Sequence, residues 1–66
     1  MPDALKNREV IIEYAPVGNV VKVSAMDTAS LTEISISGPA SSPQSLLKAN
    51  ALKRLEYVLR KKGIIS

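Results

Sequence analysis

From Glu9 the chain alternates. Val10, Ile12 and Tyr14 fall on one side of an extended segment, and Glu9, Ile11 and Glu13 on the other. A repeat of two is the signature of a strand with one face buried. Only Ile11 interrupts the otherwise acidic face. A second alternating run spans Val20–Met26, with Val21, Val23 and Ala25 on one face and Val20, Lys22, Ser24 and Met26 on the other. A third, from about Leu31 to Ser37, turns Ile34 and Ile36 inward and carries Thr32, Ser35 and Ser37 outside. Gly38-Pro39 closes it, because proline has no N–H to donate to a ladder.

The connections follow from turn chemistry. Ala15-Pro16-Val17-Gly18-Asn19 combines a proline that fixes φ with residues that accept positive φ. A four-residue loop over Pro16–Asn19 sets Ala15 opposite Val20, Tyr14 opposite Val21, Ile12 opposite Val23 and Val10 opposite Ala25. It also pairs Glu13 with Lys22, an attractive cross-strand match. The second turn, Asp27-Thr28-Ala29-Ser30, lacks both Gly and Asn.

Past Ser42 the period changes. Ser42 suits a helix N-cap and Pro43 the first helical position, with Ser41-x-x-Gln44 as an alternative capping box. The helix is predicted to run to about Lys62, with Gly63 as its C-cap. Leu47, Ala51, Leu52, Leu55, Val58 and Leu59 share one arc of a helical wheel. That stripe matches the inward faces of the strands. The predicted fold is therefore α+β: a three-stranded antiparallel meander with one C-terminal helix on one face, βββα. Residues 1–8 are polar and aperiodic and read as a flexible N-terminal arm, leaving 9–66 as a single domain.

A chain of 66 residues is one domain at most, and a small one buries too little surface to be very stable alone. With no Cys and no His, neither a disulfide nor a histidine-based metal site can staple it. A partner chain is the remaining staple, which predicts a homodimer or an unknown protein partner, with a monomer held only by its own core as the alternative. The N-terminus has no apolar stretch after its charges, unlike a secretory signal, and no apolar run is long enough to cross a membrane. The absence of Cys is compatible with the cytoplasm, the predicted address. With no His, no Cys nucleophile and glycines only at 18, 38 and 63, the sequence offers neither a common acid–base group nor a phosphate loop. No enzyme and no cofactor are expected.

Charge is divided unevenly. Residues 1–41 carry a net −2, whereas 42–66 carry Lys48, Lys53, Arg54, Arg60, Lys61 and Lys62 against Glu56 alone, a net +5. The basic helix makes a weak, sequence-independent nucleic-acid binder the alternative function, with those six residues as phosphate contacts. In topology alone, three strands and a basic helix resemble the later part of a double-stranded RNA-binding domain. That family adds a preceding helix and a lysine cluster at the start of its last helix. Here the corresponding stretch is Ser41-Ser42-Pro43-Gln44-Ser45. The leading function is a non-enzymatic protein-interaction or self-association module, because apolar residues fall outside the expected core. These are Ile11, Val20 and Met26 on the open sheet face, and Leu46 and Tyr57 on the back of the helix.

The stretches Val20-Val21-Lys22-Val23-Ser24-Ala25-Met26-Asp27, Glu33-Ile34-Ser35-Ile36-Ser37-Gly38-Pro39 and Ala51-Leu52-Lys53-Arg54-Leu55-Glu56-Tyr57-Val58-Leu59 resemble a family of short uncharacterised bacterial proteins, a domain of unknown function. The resemblance covers nearly the whole chain from Glu9. It implies a complete small protein and carries no activity, substrate, cofactor or site residue with it.

Overall fold

The structure is a computed structural model that describes residues 2–66. It contains three strands, β1 (Val10–Val17), β2 (Val20–Asp27) and β3 (Thr32–Pro39), and one helix, α1 (Gln44–Lys61). The strands form one antiparallel sheet in the order β1-β2-β3, and α1 packs chiefly on β2 and β3. The expected βββα architecture is the one observed. No helix is long and apolar enough to cross a membrane among the described residues.

The first hairpin is tighter than its sequence suggested. Val17 pairs with Val20, so the turn is only Gly18-Asn19, and Gly18 adopts a φ of +60°. Positive φ at Gly18 but not at Asn19 is the II′ arrangement, which matches the twist of the flanking strands. Tyr14 consequently lies opposite Val23, Ile12 opposite Ala25 and Val10 opposite Asp27. The expected register is displaced by two residues. Glu13 faces Ser24 and Lys22 faces Ala15, so the predicted Glu13–Lys22 match is absent. A two-residue shift preserves every side chain's face, and the inward set is unchanged. Pro16 sits inside β1, where an edge strand tolerates its missing N–H.

β3 starts at Thr32 and extends through Pro39. Thr32 is buried and shares the inward parity of Ile34 and Ile36, which corrects the expectation that it lies outside with Ser35 and Ser37. Leu31 belongs to the preceding turn, exposed and at a φ of +59°. With no glycine available in this turn, a leucine takes the left-handed conformation.

The helix begins one residue later than predicted. Pro43 is the N-cap, extended at ψ 139°, and no side chain caps the end. The Pro43 carbonyl accepts from the N–H groups of Leu46 and Leu47, while the Ser42 N–H turns back to the Pro39 carbonyl. Ser42 therefore serves the bend between sheet and helix, and the Ser41–Gln44 capping box does not form. The other end follows the expected chemistry. Gly63 has a φ of +75°, its N–H reaches the Arg60 carbonyl, and the Ile64 N–H reaches the Leu59 carbonyl at 2.9 Å. This is a Schellman motif, and Ile64 and Ile65 fold back against the core.

The core consists of Val23 and Ala25 from the sheet, Leu47, Ala51, Leu52, Leu55 and Leu59 from α1, and Leu5. Leu5 corrects the expectation of a loose arm. It lies in a short 3-10 turn, Asp3–Leu5, and is completely buried. Val10, Ile12 and Tyr14 on β1 are only partly buried against this core.

Candidate interaction surfaces

The open sheet face is organised in rows across the three strands. One end row is Val17–Val20–Pro39 and the other is Ile11–Met26–Glu33, with Ala15–Lys22–Ser37 and Glu13–Ser24–Ser35 between them. Ile11 and Met26 are thus direct neighbours. Val20 lies six residues further along β2 from Met26, roughly 20 Å at strand rise, with small and polar side chains between. The three sheet-face residues singled out from the sequence do not form one patch.

On α1, Leu46 and Tyr57 are exposed at 51% and 52%. Tyr57 has a basic residue at each helical neighbour position: Lys53 and Arg54 one turn before, Arg60 and Lys61 one turn after. The Arg54 guanidinium lies 5.3 Å from its ring centroid and the Lys61 ammonium 6.0 Å. Arg60 is already engaged, pairing with Glu56 at 2.8 Å and donating from Nε to the Ser66 carbonyl. Lys62 turns towards the sheet, where Nζ donates to Thr32 Oγ1 at 3.4 Å. Lys48 stands near the other end of the helix. The six basic residues therefore do not make one surface; Lys53, Arg54 and Lys61 gather around Tyr57. A hollow of about 310 Å³ beside them is lined by Pro2, Ala49, Leu52, Lys53 and Glu56.

One polar cluster was missed in the sequence. Asp27 is fully buried, and Arg8 clamps it in a fork: Nε to Oδ1 at 2.9 Å and Nη2 to Oδ2 at 2.8 Å. Ser30 adds its N–H and its hydroxyl to Oδ2, at 3.1 and 2.6 Å. These donors, Arg8 foremost, hold the Asp27 carboxyl down at about 2, against the opposing effect of burial. The ion pair pushes Arg8 up in turn. Parity carried the signal. Asp27 continues the inward series Val21, Val23, Ala25, and Arg8 precedes the inward series Val10, Ile12, Tyr14. With its oxygens so occupied, this carboxylate ties the N-terminal segment and the second turn to the sheet. Among the described residues, no group of three or more His, Cys, Asp or Glu comes together to hold a metal ion.

The two sheet edges differ in character. The Thr28 N–H donates to the Glu9 carbonyl, and the Ala40 N–H to the Asn19 carbonyl. Because hydrogen-bonded pairs alternate along an antiparallel ladder, these bonds fix which residues point their backbone outward. On β3 they are Glu33, Ser35, Ser37 and Pro39, whose side chains line the polar open face. On β1 they are Val10, Ile12, Tyr14 and Pro16. The first three have half-buried apolar side chains on the helix side of the sheet.

An α+β meander closed by one helix, with a free apolar edge and a basic helix back, is the class of protein these features define. The chain belongs to the domain of unknown function DUF6898, whose family model matches residues 7–62. No curated protein and no solved structure matches it.

Proposed function

We propose that this protein is a small non-enzymatic module that works by associating with protein, through the free edge of β1. The asymmetry of the sheet carries this reading. An edge strand with open donors and acceptors is a template for another strand. β3 surrounds its open groups with Glu33 and serines, whereas β1 surrounds its own with Val10, Ile12 and Tyr14 and has only Pro16 as a guard. The oxygens of Asp27 are held by Arg8 and Ser30, and Glu13 and Glu33 lie in different rows of the open face.

The test compares tagged full-length wild type with Tyr14→Lys, a charge placed on the edge, each checked for an unchanged far-ultraviolet spectrum. Proteins retained stoichiometrically by the wild type and lost by the variant support the reading. Identical sets of retained proteins overturn it.

The Tyr57 cluster favours a second reading, weak binding of single-stranded nucleic acid by stacking and phosphate contact. A single-stranded oligonucleotide should then shift the amide signals of Lys53, Arg54, Tyr57 and Lys61 at low salt, and the shifts should collapse steeply as salt rises. No shift at low salt removes this reading.

A further inference from the structure

We propose that β1 pairs antiparallel with β1 of a second copy, across a two-fold axis at Ile12. The inference rests on the free-edge reading and names the occupant of that edge. An isologous contact must be self-complementary, and β1 is so in one register. With Ile12 opposite the second copy's Ile12, Val10 lies opposite Tyr14 and Tyr14 opposite Val10. Every outward N–H of these residues then meets a carbonyl. On the helix side, the apolar side chains of both copies form one continuous strip, with aromatic–β-branched and aliphatic cross-strand pairs. On the open face, Ile11 lies opposite Glu13 and Glu9 opposite Ala15, so no like charges face each other directly.

The neighbouring registers are worse. The backbone groups available on the edge alternate, so registers differ by steps of two residues. One step brings Glu13 opposite Glu13 and spends a carbonyl on Pro16, which has no N–H to return. A step the other way sets Glu9 opposite Glu13 and requires the backbone N–H of Arg8, which already donates to the Leu5 carbonyl. Like charges directly opposite are unfavourable in a sheet. The favoured pairing makes a continuous sheet, β3-β2-β1-β1-β2-β3, and leaves only the polar β3 edges free. It also supplies the partner chain that a domain of this size, without disulfides, lacks.

The experiment combines sedimentation over a concentration series with amide exchange on the full chain. A mass of two chains is expected at high concentration, with the Val10, Ile12 and Tyr14 amides protected and those of Glu33, Ser35 and Ser37 exchanging freely. Ile11→Lys, at a half-exposed position, then places a lysine opposite the second copy's Glu13 twice over. It should tighten the dimer about three-fold or more. The double variant Ile11→Lys with Glu13→Lys should dissociate it. A dimer broken by Ile11→Lys alone, or protection on β3 in place of β1, overturns the proposal. So does a mass of one chain at every concentration up to the millimolar range. In that last case, a partner lost on Tyr14→Lys still sustains the wider reading, so the two failures are separable.

Discussion

Replacing Arg8 by alanine removes the cation that pairs with a fully buried carboxylate. Asp27 would keep the two Ser30 donors and lose both guanidinium bonds. Breaking a buried ion pair from one side costs about 3–5 kcal/mol, because the orphaned charge stays desolvated. The Arg8 side chain keeps 23% of its exposure, which places the expected loss near the lower figure, about 3 kcal/mol. A domain of this length has a total stability on the order of 3–10 kcal/mol, so the variant should lose between about a third and nearly all of it at neutral pH. The same pair makes a pH prediction. The Asp27 carboxyl is lowered from 3.8 to about 2. A depressed folded-state value means that the unfolded chain takes up the proton first, so the contribution is complete above about pH 4 and is lost as pH falls towards 2. The contribution is on the order of 2 kcal/mol. Urea titrations of wild type and Arg8→Ala at a series of pH values measure both effects. The wild-type stability should fall across that window, and the variant's should fall far less. A variant within about 0.5 kcal/mol of wild type at pH 7, the range of ordinary surface substitutions, would refute the reasoning.

Leu5→Ala should cost about 2–5 kcal/mol, because Leu5 is wholly inside the core; thermal melting tests this, and an unchanged midpoint would return residues 2–8 to a dispensable arm. At Gly38 an added Cβ would stand 2.5 Å from Cδ2 of the buried Leu47, so Gly38→Ala should lose about 1–3 kcal/mol through overpacking, read by chemical denaturation. Leu31→Gly should stabilise the protein, by up to about 1 kcal/mol. It relieves the cost of a left-handed leucine, partly offset by the greater freedom of glycine when unfolded, and it sacrifices little burial because Leu31 is 74% exposed. A lower melting temperature for Leu31→Gly would contradict that balance.

Alternation and helical period are local properties, and they are enough to place three strands, one helix and nearly every inward side chain. Gly63 likewise marks the helix end, because a left-handed C-terminal residue is a demand of the backbone itself. Registry is different: two- and four-residue turns between β1 and β2 preserve the same faces, so periodicity cannot choose between them. The choice rests on Gly18 in a II′ turn and on an edge where Pro16 needs no partner. Leu5 and Arg8 were illegible for another reason. A single leucine in a polar segment has no period, and its burial depends on a core that exists only once sheet and helix have met. Arg8 and Asp27 are 19 positions apart, and only the folded hairpin brings them together. The free edge of β1 is likewise a tertiary property. The order of the strands leaves β1 outermost, and the phase of the ladder turns Val10, Ile12 and Tyr14 towards whatever binds there.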